Sequence, residues 1–466
     1  MLLDPVTFDR IAQGFSLGVH IILASIGIAL PVIMLLAEYL GKRNNDKFYL
    51  VLARRLSIAL VVFFAVGAAS GTLVAVELFT LWPKFMALVS QVSILPFYVE
   101  VFAFFAESIF LGIYIYSWDK FSGKYTHLLP GIVVAVGAAA SGLLITMINA
   151  FMNTPAGFNI STYLTTGAIT GVNPLAAFNT PSTAIEVFHV LGSSFFAGSA
   201  IFLLAMSFMF LRAKSEVEKT YYKKAITLLF LITLVTSIIT VYGGIKSISS
   251  LYSVQPEKYA ALELNLVNQT NAPELLGGIY VNGTVQYALP VPGLQSLLLS
   301  FEGITGPVPG LNQFPQSTWP PLFIHDLFDF MVGGGFLLVI ILVIVLLLVM
   351  VNKKPNLLGR KPYNLVKRLG FAGDVLTNRK VLILFILIGV LSVILLEDGW
   401  ILAELGRQPW IIYNVMLVSD AANPSPSIVP IATAIIVFFA VILPVSVWFL
   451  NKIYKRRPLK EELEGP

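Results

Sequence analysis

Apolar residues run in blocks too long for the alternation of a strand and too uniform for the one-sided stripe of a soluble helix. Nine blocks reach the length of about 20 residues that spans a bilayer as a helix. They lie near 14–38, 57–80, 95–117, 128–151, 187–211, 225–247, 323–351, 381–402 and 428–450. In lipid only helices and closed barrels satisfy every backbone group. Barrel strands would show alternation over about ten residues, and none is present. The pattern predicts an all-α polytopic membrane protein with nine transmembrane helices.

Composition agrees: the chain is 57% hydrophobic and 12% charged, against about a quarter charged in soluble domains. Mean hydropathy is +0.84. The apolar runs favour one transmembrane domain over residues 1–466 rather than several. The net charge of +5 is no nucleic-acid signal, because the basic residues sort by loop. Those after spans 1, 3, 5 and 7, together with the tail, hold 25 of the 30 Lys and Arg residues. The opposite side keeps Arg10, Lys84, Lys246, Lys258 and Arg407. Positive loops stay inside, so the expected orientation is N-terminus outside and C-terminus in the cytoplasm, in a multi-pass protein of the cell (cytoplasmic) membrane. The first span lacks a basic n-region and a small-residue cleavage site, and is expected to remain.

One large loop, residues 248–322 between helices 6 and 7, then faces outside. It is rich in Gly, Pro, Asn and Leu and contains the sequons NQT (268–270) and NGT (282–284). There is no cysteine, which excludes disulfides, thiolate-held iron–sulfur clusters and thioether-linked haem. Any metal must be held by His, Met or carboxylate.

Ionisable residues inside spans are functional candidates by default. His20, Glu77, Glu100, Glu107, Glu186, His189, His325, Asp326, Asp329, Glu397, Asp398 and Glu404 come from six helices. With the orientation above, all gather toward the outer face, and the inner half is almost bare of charge. Glu100 and Glu107 are seven residues apart, as are Glu397 and Glu404, which puts each pair on one helix face. Each residue has a plainer reading too. Glu77, Asp326 and Asp398 are close enough to helix ends to snorkel, His127 is expected to be solvated in an inner connection, and His325 suits interfacial hydrogen bonding. A lone Met such as Met331 usually packs. His20, within FSLGVHIILASIG, needs a partner or a metal, and His189 is followed by small residues that would admit a flat macrocycle. The chain has four histidines, two of them outside the membrane core or at its edge, so a bis-histidine dihaem cytochrome b is ruled out by count.

Several motifs together carry a resemblance: EDGWILAEL followed by GRQPW (406–410), FFAESIFLGIYIYSWDK (104–120), MINAFMNTPAGF (147–158) and QPEKYAALE (255–263). On these the chain resembles subunit I of cytochrome bd-type quinol oxidases over almost its whole length. The resemblance implies a haem-bearing enzyme that oxidises membrane quinol at the outer loop and reduces O2 to water. Proton-motive force then arises without pumping, and a second membrane subunit, with a small accessory helix, is the expected partner. It implies a low-spin haem b, a second haem b, and a haem d or a further haem b in its place. By position, His189 and Met331 would ligate the low-spin haem b, while His20 and Glu404 would serve the other two. Glu100, Glu107 and Glu397 would act as the catalytic acids, and Lys258 and Glu263 as the quinol-loop pair. Trp400 and Trp410 would neighbour haem, and Arg407 would meet a propionate.

Three positions depart from the family pattern. The helix-3 acids are seven apart instead of eight, Ala75 stands where an acid is usual, and Asp329 replaces an arginine two residues before the ligand methionine. These mark a divergent branch, with an archaeal source among the candidates. Two rival readings are an ion-coupled transporter and a paralogue of the oxidase with an altered electron donor. Transporters of that kind often show repeats and broken helices at the midplane, and the chain shows no repeat.

Overall fold

The computed structural model describes residues 4–299, 306–353, 364, 367–371 and 373–464. Part of the outer loop and the basic residues Lys354, Arg360 and Lys361 lie outside the described residues. Among those described, nine helices are long and apolar enough to cross a membrane. They are α1 (Pro5–Asn44), α2 (Lys47–Leu81), α3 (Leu95–Tyr116), α4 (Leu128–Asn153), α5 (Thr183–Arg212), α6 (Glu216–Val254), α7 (Ile324–Lys353), α8 (Arg379–Leu405) and α9 (Ile428–Lys455). Each contains the span expected at its place, apart from the last residue of the third and the first of the seventh, and several run well beyond it. At 1.5 Å per residue the 40-residue α1 is about 60 Å long, twice the hydrocarbon thickness.

The ends of α1 are set by local chemistry. Asp4 accepts the Thr7 backbone N–H at 3.0 Å, and Pro5 supplies the first helical φ. Asn45 closes it in the left-handed conformation, φ 51°, with Asp46 N–H returning to Gly41 O at 2.8 Å. A capping box formed by Ser215 and Glu218 starts α6.

Helix α1 is the hub and touches α2, α4, α5, α8 and α9, while α5 also packs on α6 and α8. Close approach there depends on small residues. A Cβ on Gly198 of α5 would lie 2.4 Å from Ala29 Cβ. Half of the apolar window of α1 is buried, but only 17% of that of α3. Thus α3 is peripheral and turns Phe102, Phe105 and Ile109 outward.

The inner half is not bare. Glu38 of α1 is fully buried and accepts from Lys42 Nζ (2.7 Å), Tyr114 OH (2.7 Å) and His127 Nδ1 (2.8 Å). His127 Nε2 faces Tyr114 O at 2.8 Å, and its ring packs among Tyr114, Trp118 and Phe121. The expectation of a solvated His127 is therefore wrong. Its partner lies 89 residues earlier in the chain, where local pattern does not reveal it.

The outer loop has its own architecture. A short helix, Pro256–Leu262, is followed by antiparallel pairs Glu274–Leu276 with Leu289–Val291 and Ile279–Val281 with Thr284–Gln286. Asn282 and Gly283, at φ 50° and 86°, turn the inner pair, as Asn-Gly does in two-residue hairpins. The second sequon therefore sits in this turn. Leu262, Leu311, Ile324, Phe328 and Leu402 form a buried cluster that fixes the loop to α7 and α8.

Candidate haem and quinol site

The two membrane histidines are held in the same way. Ser70 Oγ donates to Gly67 O (2.9 Å) and so can accept from His20 Nδ1, also at 2.9 Å. His189 Nδ1 donates to Thr240 O at 3.1 Å. With Nδ1 protonated and tied off, Nε2 keeps its lone pair, the form in which imidazole binds iron. Glycine lies against each ring. A Cβ on Gly71 would come 3.2 Å from His20 Cε1, and one on Gly244 3.4 Å from His189 Cε1. The Met331 sulfur has the same clearance, 3.0 Å from a Cβ on Gly399. Each of these side chains thus lies against a glycine backbone, and two imidazoles with Nε2 free, a thioether and the Glu404 carboxylate are donors of the types haem iron accepts. Both histidines and Met331 are half-buried.

At the end of α8, Glu404 accepts from Asn149 Nδ2 of α4 (2.8 Å) and from Arg407 Nη2 (2.5 Å). The guanidinium is buried and also donates to Asn153 Oδ1 at 2.8 Å, while Asn153 donates to Glu186 Oε1 at 3.0 Å. Arg407 Nη1 and Nη2 are thus engaged by side chains, leaving Nε unpaired. Its ion pair with Glu404 was not foreseen, although three-residue spacing makes the contact natural. Asn149 and Asn153 were also missed. Their four-residue spacing in MINAFMN, on an otherwise apolar helix, was the available signal. Lys258 Nζ donates to Ala403 O (3.0 Å) and ties the loop helix to this end of α8. Burial, and then the charge of Arg407, push the Lys258 ammonium down to about 8, against the pull of Glu186 and Glu404.

Other candidates divide. Glu397 lies over Gly18 of α1, two residues before His20, at 2.9 Å from where a Cβ would stand. Glu107 is buried and packs against Gly137 of α4, whereas Glu100 on the same face is half-buried. Glu77 does not snorkel: it is fully buried and accepts from Ser16 Oγ at 2.5 Å. Ala75 is exposed, so the inward acid of α2 is Glu77. Asp398 is buried too, and Asp326 is exposed. Trp400 is half-buried, and Trp410 Nε1 is buried without a partner. Lys258 and Glu263 are not brought together. Glu263 lies instead near Glu274 and Asp329. His325 is fully buried rather than interfacial.

Comparison with known proteins identifies the family of the chain. The family description "Cytochrome bd terminal oxidase subunit I" matches residues 8–458. A candidate cytochrome bd menaquinol oxidase subunit I of Bacillus subtilis (strain 168) is 35% identical over 467 residues, with 99% of each chain covered. The cytochrome bd ubiquinol oxidase subunit 1 of the same organism is 27% identical, over 89% of this chain and 85% of its own. Among solved structures, the bd oxidase from Geobacillus thermodenitrificans superposes with a TM-score of 0.85 at 34% identity, over 98% of this chain and 99% of that one. The chain belongs to the cytochrome bd terminal oxidase subunit I family, and is a haem-bearing membrane subunit of a quinol:O2 oxidoreductase.

Proposed function

We propose that the chain oxidises membrane quinol at its outer loop and holds its haems through His189 with Met331, through His20, and through Glu404. The observation that supports this most is the shared arrangement at both histidines, a tied-off Nδ1 with glycine against the ring. When bound, the haems supply the electron relay and the iron that meets O2. On this reading they are a low-spin haem b, a second haem b, and a haem d or a further haem b. His189 of α5, through its free Nε2, and Met331 of α7, through its thioether, would hold the low-spin haem. Glu404, steadied by Asn149 and Arg407, presents a carboxylate that keeps spare lone pairs for a metal. Trp400 and Trp410 would lie beside the haems, and Arg407, with its Nε–H unpaired, would meet a propionate. Glu100, Glu107 and Glu397 carry protons, Glu107 and Glu100 forming one stripe of α3.

Lys258 and Glu263 stand at the quinol site in the 248–322 segment of the single domain. With the N-terminus outside, quinol protons leave at the outer face and those for water enter from the cytoplasm. This is a translocase without a pump, in the cytoplasmic membrane beside a second membrane subunit and a small accessory helix. The exposed apolar face of α3 suits such a partner. A pyridine haemochrome spectrum of the purified complex tests the reading. It is expected to show haem b, alone or with haem d, and a preparation free of haem would contradict it.

A further inference from the structure

The face of α1 that carries His20 continues as a polar line toward the N-terminus of the helix, the outer end in the orientation above. Asp9, Gln13, Ser16 and His20 recur at steps of four, three and four, so they share one face. Opposite them, Ser70 and Glu77 share a face of α2. Ser70 Oγ meets His20 Nδ1 at 2.9 Å, and Ser16 Oγ meets Glu77 Oε2 at 2.5 Å. Asp9, Ser16 and Glu77 are fully buried, and Gln13 is buried too. Yet both oxygens of Asp9, both ends of the Gln13 amide and Glu77 Oε1 have no hydrogen-bond partner. Buried polar atoms in that state are costly, and folded proteins give them a partner.

No cation answers these acids. Among the described residues, no ion pair includes Asp9 or Glu77. Arg10 is exposed and donates to Gln408 Oε1 at 3.2 Å. The Asn423 N–H near Asp9 is spent on Leu81 O at 2.8 Å. From α8, Glu397 reaches α1 at Gly18, two residues and about 200° around the helix from Ser16. From α9 the neighbours are the apolar Ile435 and Phe439, packed with Val74. Ser16 makes a reversible contact. Its single hydrogen is within reach of Gln13 O (3.1 Å) and of Glu77 Oε2 (2.5 Å). With Glu77 ionised, the hydroxyl donates to the carboxylate. With Glu77 protonated, the carboxyl donates to Oγ and the hydroxyl turns to Gln13 O. Both states are hydrogen-bonded without moving a heavy atom, so a proton can be gained and lost in place.

We propose that Glu77 is a redox-linked proton site of the His20 pocket, exchanging with the outer medium along Gln13 and Asp9. This rests on the haem reading above. Charge added in a low-dielectric interior acts strongly on an acid that has no counter-charge. One electron drawn from quinol reduces the iron of the pocket by one unit, and one proton from outer water forms an O–H bond on Glu77. When the electron passes on to O2, that bond breaks and the proton returns by the same line. Entry and exit at one face pump nothing. The Gln13 amide, with a donor and an acceptor both unpaired, is suited to hold water between the carboxyls of Asp9 and Glu77.

The test is the reduced-minus-oxidised infrared spectrum of the holo-complex, recorded with its haem spectrum. Wild type is expected to gain a protonated-carboxyl C=O band on reduction, and the band should shift down in D2O. Glu77→Gln should remove that band while the haem signals remain. A haem-bearing wild type without the band, or a carboxyl region that Glu77→Gln leaves unchanged, overturns the proposal. Where Glu77→Gln fails to assemble, Ser16→Ala decides. Loss of the hydroxyl partner is expected to move the band, and an unmoved band overturns the assignment. Gln13→Leu and Asp9→Leu are expected to slow deuterium entry into the band severalfold, and exchange as fast as in wild type in both would overturn the route. Wild-type complex with no haem spectrum would instead overturn the haem reading on which this rests.

Discussion

Replacing His189 with alanine, or Met331 with leucine, is expected to abolish the low-spin haem signal in the reduced-minus-oxidised spectrum and bring quinol oxidation to background. Thr240 O orients the imidazole through Nδ1, so the ring edge carrying the iron-binding lone pair is fixed by α6. Alanine removes the donor and leaves a carbonyl that α6 can still solvate. Leucine keeps the volume of methionine, since apolar swaps of equal size usually cost less than about 1.5 kcal/mol, but offers iron no lone pair. The helices should therefore still insert while the relay is cut. Unchanged spectra in both variants would refute the ligand assignment.

The second large effect is on stability. Glu38→Ala is expected to destabilise the inner end of the bundle by about 3–5 kcal/mol, the usual cost of removing one partner from a buried ion pair. The variant leaves Lys42, the Tyr114 hydroxyl and His127 without their acceptor, and Glu38 and His127 are buried. His127 makes this worse. Its Nδ1 loses the Glu38 oxygen while Nε2 stays against Tyr114 O, so the buried ring keeps one partner of two. A lower thermal midpoint in detergent, with haem spectra intact in the surviving fraction, is the expected result. A change within about 0.5 kcal/mol, the range of neutral surface substitutions, would show that the cluster does not hold these helices.

Much of this was legible in the chain, for physical reasons. A bilayer demands unbroken apolar length, so nine helices follow from counting, and intramembrane charge is costly enough to mark His20, His189 and Glu404. Partners were less visible. Glu38 stands near a helix end among basic residues and resembles a solvated acid until α3 and α4 close over it. Asn282-Gly283 is a hairpin signal that a loop-wide description passed over. Lys258 and Glu263, both expected at the quinol loop, turn to different neighbours. Five residues along a helix is a rotation of about 140°, so the two side chains leave opposite faces, one toward α8 and one toward α7. The departure at Asp329 also finds its place, since its carboxylate is bound by Gly277 N–H beside the His325 ring.

The most direct test is O2 uptake by sealed vesicles whose complex has its quinol loop outward, with quinol added and outer pH recorded. Uptake that depends on quinol and acidifies the outer medium in step is the predicted result. Alkalinisation outside, or O2 uptake indifferent to quinol, would contradict it.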